Sequence, residues 1–236
     1  MHREYHKWKS VSLDREMELL IFGHAGVPVV VFPTSHGRFY EFEDQGMVRA
    51  VSSKIEHGQV QLICVDSIDN ESWFAEQVPG RWRIARQLQF ERYILDEVVP
   101  YVRKRNHVPH MAAAGCSFGG YHAANISFRN PEIFTAMLTM GGTFNPEHFL
   151  RGHYDEDCYY NLPTHFLPNM SDPWYLDKYR HNSYMLATGV HDHHWDDNEK
   201  FAALLRLKGI PVQLDVWQDC AGHNWYWWQR MLAAYL

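Results

Sequence analysis

Just after an alanine-rich apolar run, the chain carries Gly115-Cys116-Ser117-Phe118-Gly119-Gly120. The spacing is G-x-S-x-G. In that pattern a strand turns abruptly into a helix, and the middle residue is held in strained geometry with its hydroxyl above the sheet edge. The flanking positions must be small, because strand and helix approach closely there. Ser117 is therefore a candidate nucleophile, and its neighbour Cys116 a small buried residue. A serine hydroxyl attacks only when a base takes its proton, and that base is usually a histidine oriented by a carboxylate. On this kind of turn the partners follow downstream, acid first and histidine second.

The chain has 16 histidines, so a lone one carries little weight. His223 stands out by position. It follows Gly222 in a short loop between an apolar run and the last helical segment, where such a base belongs. The candidate acid is Asp192, in Gly189-Val-His-Asp-His-His-Trp-Asp-Asp197, because it lies nearest the end of the preceding strand. Asp196 and Asp197 suit the start of a helix, where aspartate serves as a cap. His191, Asp192, His193 and His194 are of types that bind zinc. Four successive residues of one loop rarely converge on one ion, however, and the expectation is no metal. Acyl transfer also needs donors for the developing oxyanion. One is the backbone N–H of Phe118, after the nucleophile. The other is expected in Phe32-Pro-Thr-Ser-His-Gly-Arg38, with the N–H of Ser35 as first choice and His36 next.

These loops need a scaffold. Tyr5–Lys9 and Met17–Ile21 alternate about Leu13-Asp-Arg15 and read as an antiparallel hairpin. Residues 28–32, 60–65, 111–114, 135–140, 184–188 and 212–217 are short apolar runs that suit strands, the most apolar of them buried on both faces. Helices are expected over 46–57, 81–105, 121–128, 196–208 and 225–236. Strands alternating with helices predict a mostly parallel sheet covered on both faces. The stretch 145–180, rich in Asp, Asn, Pro, Tyr and His, breaks the rhythm. It reads as an irregular excursion with one short helix, placed to wall a pocket.

Composition narrows the partners. The chain has 236 residues, 46% hydrophobic and 21% charged, with a net charge of −6. This is ordinary globular composition, and no repeat or linker divides it, so one domain over 1–236 is expected. No basic patch supports a nucleic-acid partner; Arg103, Lys104 and Arg105 suit the end of a helix. Four scattered cysteines argue against a disulfide framework. There is no apolar leader and no run of membrane-spanning length. A cytoplasmic protein acting on a small-molecule ester, without a membrane partner or an organic cofactor, is the simplest reading, and a homo-oligomer is compatible with it. The nine tryptophans divide between core and pocket wall, with Trp73, Tyr121, Trp174 and Trp225 as wall candidates beside His36.

The chain resembles the putative esterase family of the α/β-hydrolase superfamily, the esterase D-like group related to mycolyltransferase-like antigens. The resemblance runs over nearly the whole chain. It rests on Phe32-Pro-Thr-Ser-His-Gly-Arg-Phe-Tyr-Glu-Phe-Glu-Asp44, Gly115-Cys-Ser-Phe-Gly-Gly120, Asp192 with Asp197-Asn198, and Gly222-His-Asn-Trp225. It implies an α/β-hydrolase fold with a minimal lid and a carboxylesterase acting on short or aromatic acyl groups. Ser117 would be the nucleophile, Asp192 the orienter, His223 the base, and Ser35 and Phe118 the backbone donors. The chain departs from the pattern at His36, where glycine is expected, and in shortened substrate-binding insertions. An acyltransferase would use the same residues, and a catalytically silent binding protein could keep the same fold.

Overall fold

The computed structural model describes residues 1–236. Arg3–Ser10 (β1) and Arg15–Phe22 (β2) form the expected hairpin, in register from Arg3 opposite Phe22 to Ser10 opposite Arg15. The apolar runs become Val27–Phe32 (β3), Val60–Val65 (β4), Met111–Cys116 (β5), Phe134–Met140 (β6), Ser183–Gly189 (β7) and Gln213–Trp217 (β8). All eight join one sheet in the order β1-β2-β4-β3-β5-β6-β7-β8. From β4 to β8 every pairing is parallel; β2 runs antiparallel to both β1 and β4.

The central strands are buried on both faces, and alternate residues feed two separate cores. Val30, Phe32, Ile63, Val65 and Ala113 face one of them, with Phe90, Phe128 and Phe201. Val29, Val31, Leu62, Cys64, Ala112 and Ala114 face the other, with Phe42, Ile55, Trp228 and Met231. The first core is covered by Gly80–Arg92 (α4), Val99–Arg103 (α5), Phe118–Arg129 (α6) and Trp195–Leu207 (α10). The second is covered by Glu41–Asp44 (α1), Met47–Ala50 (α2), Ser52–Glu56 (α3) and Trp225–Tyr235 (α11).

Three expectations are corrected. The helix expected over 46–57 is broken into short turns. Gly46 sits in the left-handed region at φ 72° and separates α1 from α2, while Val51, at φ −117°, separates α2 from α3. The long helix over 81–105 starts at Gly80 and ends at Arg103, and it passes through a π-helical turn, Tyr93–Val98. Pro100 lies just beyond that turn and has no N–H for an ordinary helical bond, which accounts for the local widening. The excursion over 145–180 is mostly helical. A 3₁₀ turn, Glu147–Leu150, is followed by Glu156–Tyr160 (α7), Pro163–Asn169 (α8) and Pro173–His181 (α9). Its Asp and Pro residues, read above as loop formers, are helix starters. Asp155 and Asp172 accept backbone N–H bonds as caps, and Pro163 and Pro173 open their helices. No helix is long and apolar enough to cross a membrane.

Candidate active site

Five loops meet at the carboxyl ends of the parallel strands. Ser117 follows β5, Gly141 follows β6, Asp192 follows β7, His223 follows β8 and Ser35 follows β3. Ligands of open α/β sheets bind at this edge.

Ser117 has φ 54° and ψ −122°, a conformation L-residues avoid. It is the hinge between β5 and α6. The motif glycines are there because nothing larger fits. A Cβ on Gly115 would lie 2.2 Å from the Gly119 backbone, and one on Gly119 would lie 2.4 Å from the Phe32 carbonyl oxygen. The second contact also seats the start of α6 against the loop after β3. The helix begins at Phe118, three residues earlier than expected, so the elbow and the first turn are one unit.

The Ser117 hydroxyl lies 2.9 Å from His223 Nε2. His223 Nδ1 lies 2.9 and 3.0 Å from the two Asp192 oxygens. The carboxylate can only accept, so Nδ1 carries the ring proton and Nε2 is left to accept from Ser117. Asp192 is buried, with its side chain 1% exposed. Burial would raise its carboxyl, but the hydrogen bond from His223, the His194 N–H and the nearby imidazoles outweigh it. The group is held below the usual carboxylate value. Asp192 thus also accepts at the start of α10, where Asp196 and Asp197 sit in the first turn and His194 is the cap residue. Cys116 is fully buried, and burial pushes its thiol well up, which disfavours the reactive thiolate there.

Three residues to which the sequence assigned no role hold this geometry. Gly141, at φ 56°, lies so close that a Cβ would meet Asp192 Oδ2 at 2.5 Å. Trp228 packs edge-on against His223, with ring centres 4.6 Å apart. Glu41 accepts from the Thr34 N–H at 2.9 Å and the Thr34 hydroxyl at 2.8 Å, and so fixes the loop that carries Ser35. Gly141 reaches Asp192 across a long sequence separation, and for Trp228 and Glu41 it is the direction of the side chain, which no local pattern marks, that makes the contact. Asn198, quoted above only as a motif residue, donates to the carbonyls of Gly142 and His194 and ties the β6 and β7 loops together.

Ser35 is exposed, and its N–H makes no hydrogen bond within the chain. Phe118, first residue of α6, has no preceding turn to donate into. Both N–H groups are free for a ligand. His36 occupies the left-handed region at φ 61°, which is the physical reason glycine was expected there. Its ring pairs with Asn70 and tilts over Phe74.

A cavity of about 480 Å³ opens beside Ser35 and His36, lined further by Trp73, Phe74, Phe149 and Arg83. Phe74 packs on Phe118 with ring centres 4.8 Å apart, which joins the cavity to the elbow. Trp73 belongs to this wall, although its ring is buried and its indole N–H donates to Gln87. Tyr121 is a core residue, not a wall residue: it is fully buried beneath Phe118 and donates to the Asn161 carbonyl. Trp174 is exposed on α9 against Tyr175 and does not line the cavity. Trp225 is half-buried against Trp228, one ring removed from His223, and also lies outside the cavity lining. A larger space of about 780 Å³ lies elsewhere, between α4 and the α7–α9 excursion.

A family model described as "Putative esterase" matches residues 10–236. The chain belongs to this family. Membership makes it a carboxylic ester hydrolase, and its fold is that of the α/β-hydrolases. A ferulic acid esterase is similar over 100% of this chain and 96% of its own, with a TM-score of 0.77 at 19% identity. An S-formylglutathione hydrolase from Agrobacterium tumefaciens covers 98% of this chain and 92% of its own, with a TM-score of 0.77 at 14% identity. A fluorophosphonate-binding serine hydrolase from Staphylococcus aureus covers 99% and 96%, with a TM-score of 0.65 at 16% identity. No curated protein matches the sequence.

Proposed function

We propose that this esterase hydrolyses small or aromatic acyl esters through a Ser117–His223–Asp192 triad and a covalent acyl-enzyme. The observation that carries the reading is the unbroken chain from the strained Ser117 through His223 to the buried Asp192, with heavy-atom steps of 2.9–3.0 Å. His223 Nε2 takes the hydroxyl proton as Ser117 Oγ attacks the ester carbonyl. Asp192 holds the tautomer that makes this transfer possible and stabilises the resulting imidazolium. The tetrahedral oxyanion is received by the free N–H groups of Ser35 and Phe118. Loss of one such donor typically costs ~10²–10³ in kcat. The imidazolium then protonates the leaving alcohol, and water repeats the sequence on the acyl-enzyme to release the acid and restore Ser117.

The aromatic preference is supported by the wall of Trp73, Phe74 and Phe149 beside the elbow and by the similarity to a protein named as a ferulic acid esterase. Hydrolysis of p-nitrophenyl acetate and butyrate by the wild type and by Ser117→Ala tests the proposal. Turnover by the wild type and a fall of about 10⁴-fold or more in the variant is the expected result. Equal rates, together with no fluorophosphonate labelling of Ser117, would overturn it.

A further inference from the structure

The β7–α10 loop brings two further imidazoles against the candidate base. His193 and His223 have ring centres 4.2 Å apart, His193 and His194 4.3 Å, and His194 and His223 5.1 Å. One ring nitrogen from each of the three can be chosen so that all lie within 4.8 Å of one another. In a tetrahedral zinc site, with Zn–N of about 2.0–2.1 Å, ligand nitrogens stand about 3.4 Å apart. Rotation of exposed side chains can close the difference. His193 is exposed and His194 half-buried, and neither ring makes a side-chain hydrogen bond apart from the Asp197 contact below. His193 is free to turn toward the other two rings.

Adjacent residues of one loop would not suffice. Here the third ligand comes from a different loop, after β8. The outer partners are also those a metal-bound imidazole uses. Asp192 holds Nδ1 of His223, and Asp197 Oδ2 lies 3.4 Å from Nδ1 of His194. Carboxylates at that position fix the ring and strengthen the other nitrogen as a ligand. On both rings that nitrogen is Nε2, and on His223 it is the atom 2.9 Å from the Ser117 hydroxyl.

We propose that His193, His194 and His223 form an inhibitory site for a zinc-class divalent cation, which captures the lone pair that would otherwise accept the Ser117 proton. The inhibitory part rests on the triad reading; the binding part does not. The cation and the serine proton compete for one nitrogen, so bound zinc and ester turnover exclude each other. The second grouping of possible ligands, His153, Asp155 and Cys158, is a poorer candidate. Asp155 is committed to capping α7, and burial pushes the Cys158 thiol up to about 12.

The test is equilibrium dialysis of the chelator-treated full chain against Zn²⁺ alone, with ester turnover measured in parallel. The expected result is one zinc per chain, a fall in turnover of about tenfold or more at saturation, and recovery on EDTA. His193→Asn, at a ring with no hydrogen bond, should lose both zinc binding and inhibition while keeping metal-free turnover. His193→Gln serves if that variant folds poorly. Ser117→Ala should bind zinc as the wild type does; a wild-type chain that binds zinc but neither turns over ester nor takes a fluorophosphonate label at Ser117 would sink the triad reading and leave the metal site standing. No zinc bound, zinc bound equally by the histidine variants, or zinc bound without loss of turnover in an active enzyme would overturn the proposal.

Discussion

Gly141→Ala should disable the site from behind without touching any reacting atom. Gly141 follows β6, and its N–H donates to the Ala187 carbonyl at 2.8 Å, so its backbone cannot drift. An added Cβ would lie 2.5 Å from Asp192 Oδ2 and 3.1 Å from both His223 Nδ1 and Trp228 Nε1. Ordinary contact begins at 3.4 Å, so Oδ2 must retreat by about 0.9 Å. It now accepts from His223 at 3.0 Å. The retreat either breaks that bond or drags the imidazole away from Ser117. Misplacement of about 1 Å costs about 10²-fold in rate, or about 2.7 kcal/mol on the barrier. The methyl also strains a backbone at φ 56°, by about 1–2 kcal/mol. A chain of this size loses about 2–4 °C in Tm per kcal/mol. Gly209→Ala is the matched control. It has φ 68° and nothing within 4 Å of its added Cβ, so it should lose comparable stability and keep full turnover. The assay is kcat/KM on p-nitrophenyl acetate with Tm by scanning fluorimetry. Gly141→Ala within about threefold of wild type, or Gly209→Ala equally impaired, would refute the steric reasoning.

Asp192→Asn should lower kcat by about 10⁴, because the amide oxygen must stay on the His194 N–H at 2.8 Å. That places its NH₂ at the Oδ2 position, 3.0 Å from His223 Nδ1, where it competes with the oxygen at 2.9 Å and shifts the ring proton toward Nε2; retention of more than about a tenth of wild-type kcat would contradict the tautomer argument. The same variant should flatten the acid side of the stability curve. A carboxyl held low in the folded state stabilises fully above about pH 4 and loses that contribution as pH falls through its folded value; equal acid titrations of the two proteins would contradict it. Cys64, Cys116, Cys158 and Cys220 are free and buried, and burial pushes every one of these thiols up. Ellman's reagent should therefore label none in the folded protein and all of them in guanidinium; rapid labelling of the native chain would show the burial to be wrong.

The parts readable from sequence were those written in local pattern. The elbow is legible because a strand turning sharply into a helix imposes Gly at fixed offsets, and the clashes at Gly115 and Gly119 show why. The central strands are legible because burial on both faces demands unbroken apolar runs. Asp192 and His223 could be chosen by chain order and by their place at strand ends. The reading failed where the same residue types serve two purposes. Asp and Pro over 145–180 open helices there rather than loops, and Gly46 and Val51 interrupt a stretch whose apolar spacing suits one helix. It failed also for the pocket wall, since an aromatic residue such as Tyr121 looks the same in sequence whether it faces a cleft or the core.

By itself the sequence determined the order of the strands, the elbow, and which residue types could serve as nucleophile, base and acid, because each of these is a matter of spacing within a few residues. Only the tertiary structure decided that Gly141 backs Asp192, that Phe74 lies on Phe118, and that His193 and His194 pack tilted and edge-on beside His223. These are contacts between loops joined by the parallel sheet. Their distances are set by how its strands pair and twist, and residues far apart in the chain carry no spacing that could announce them.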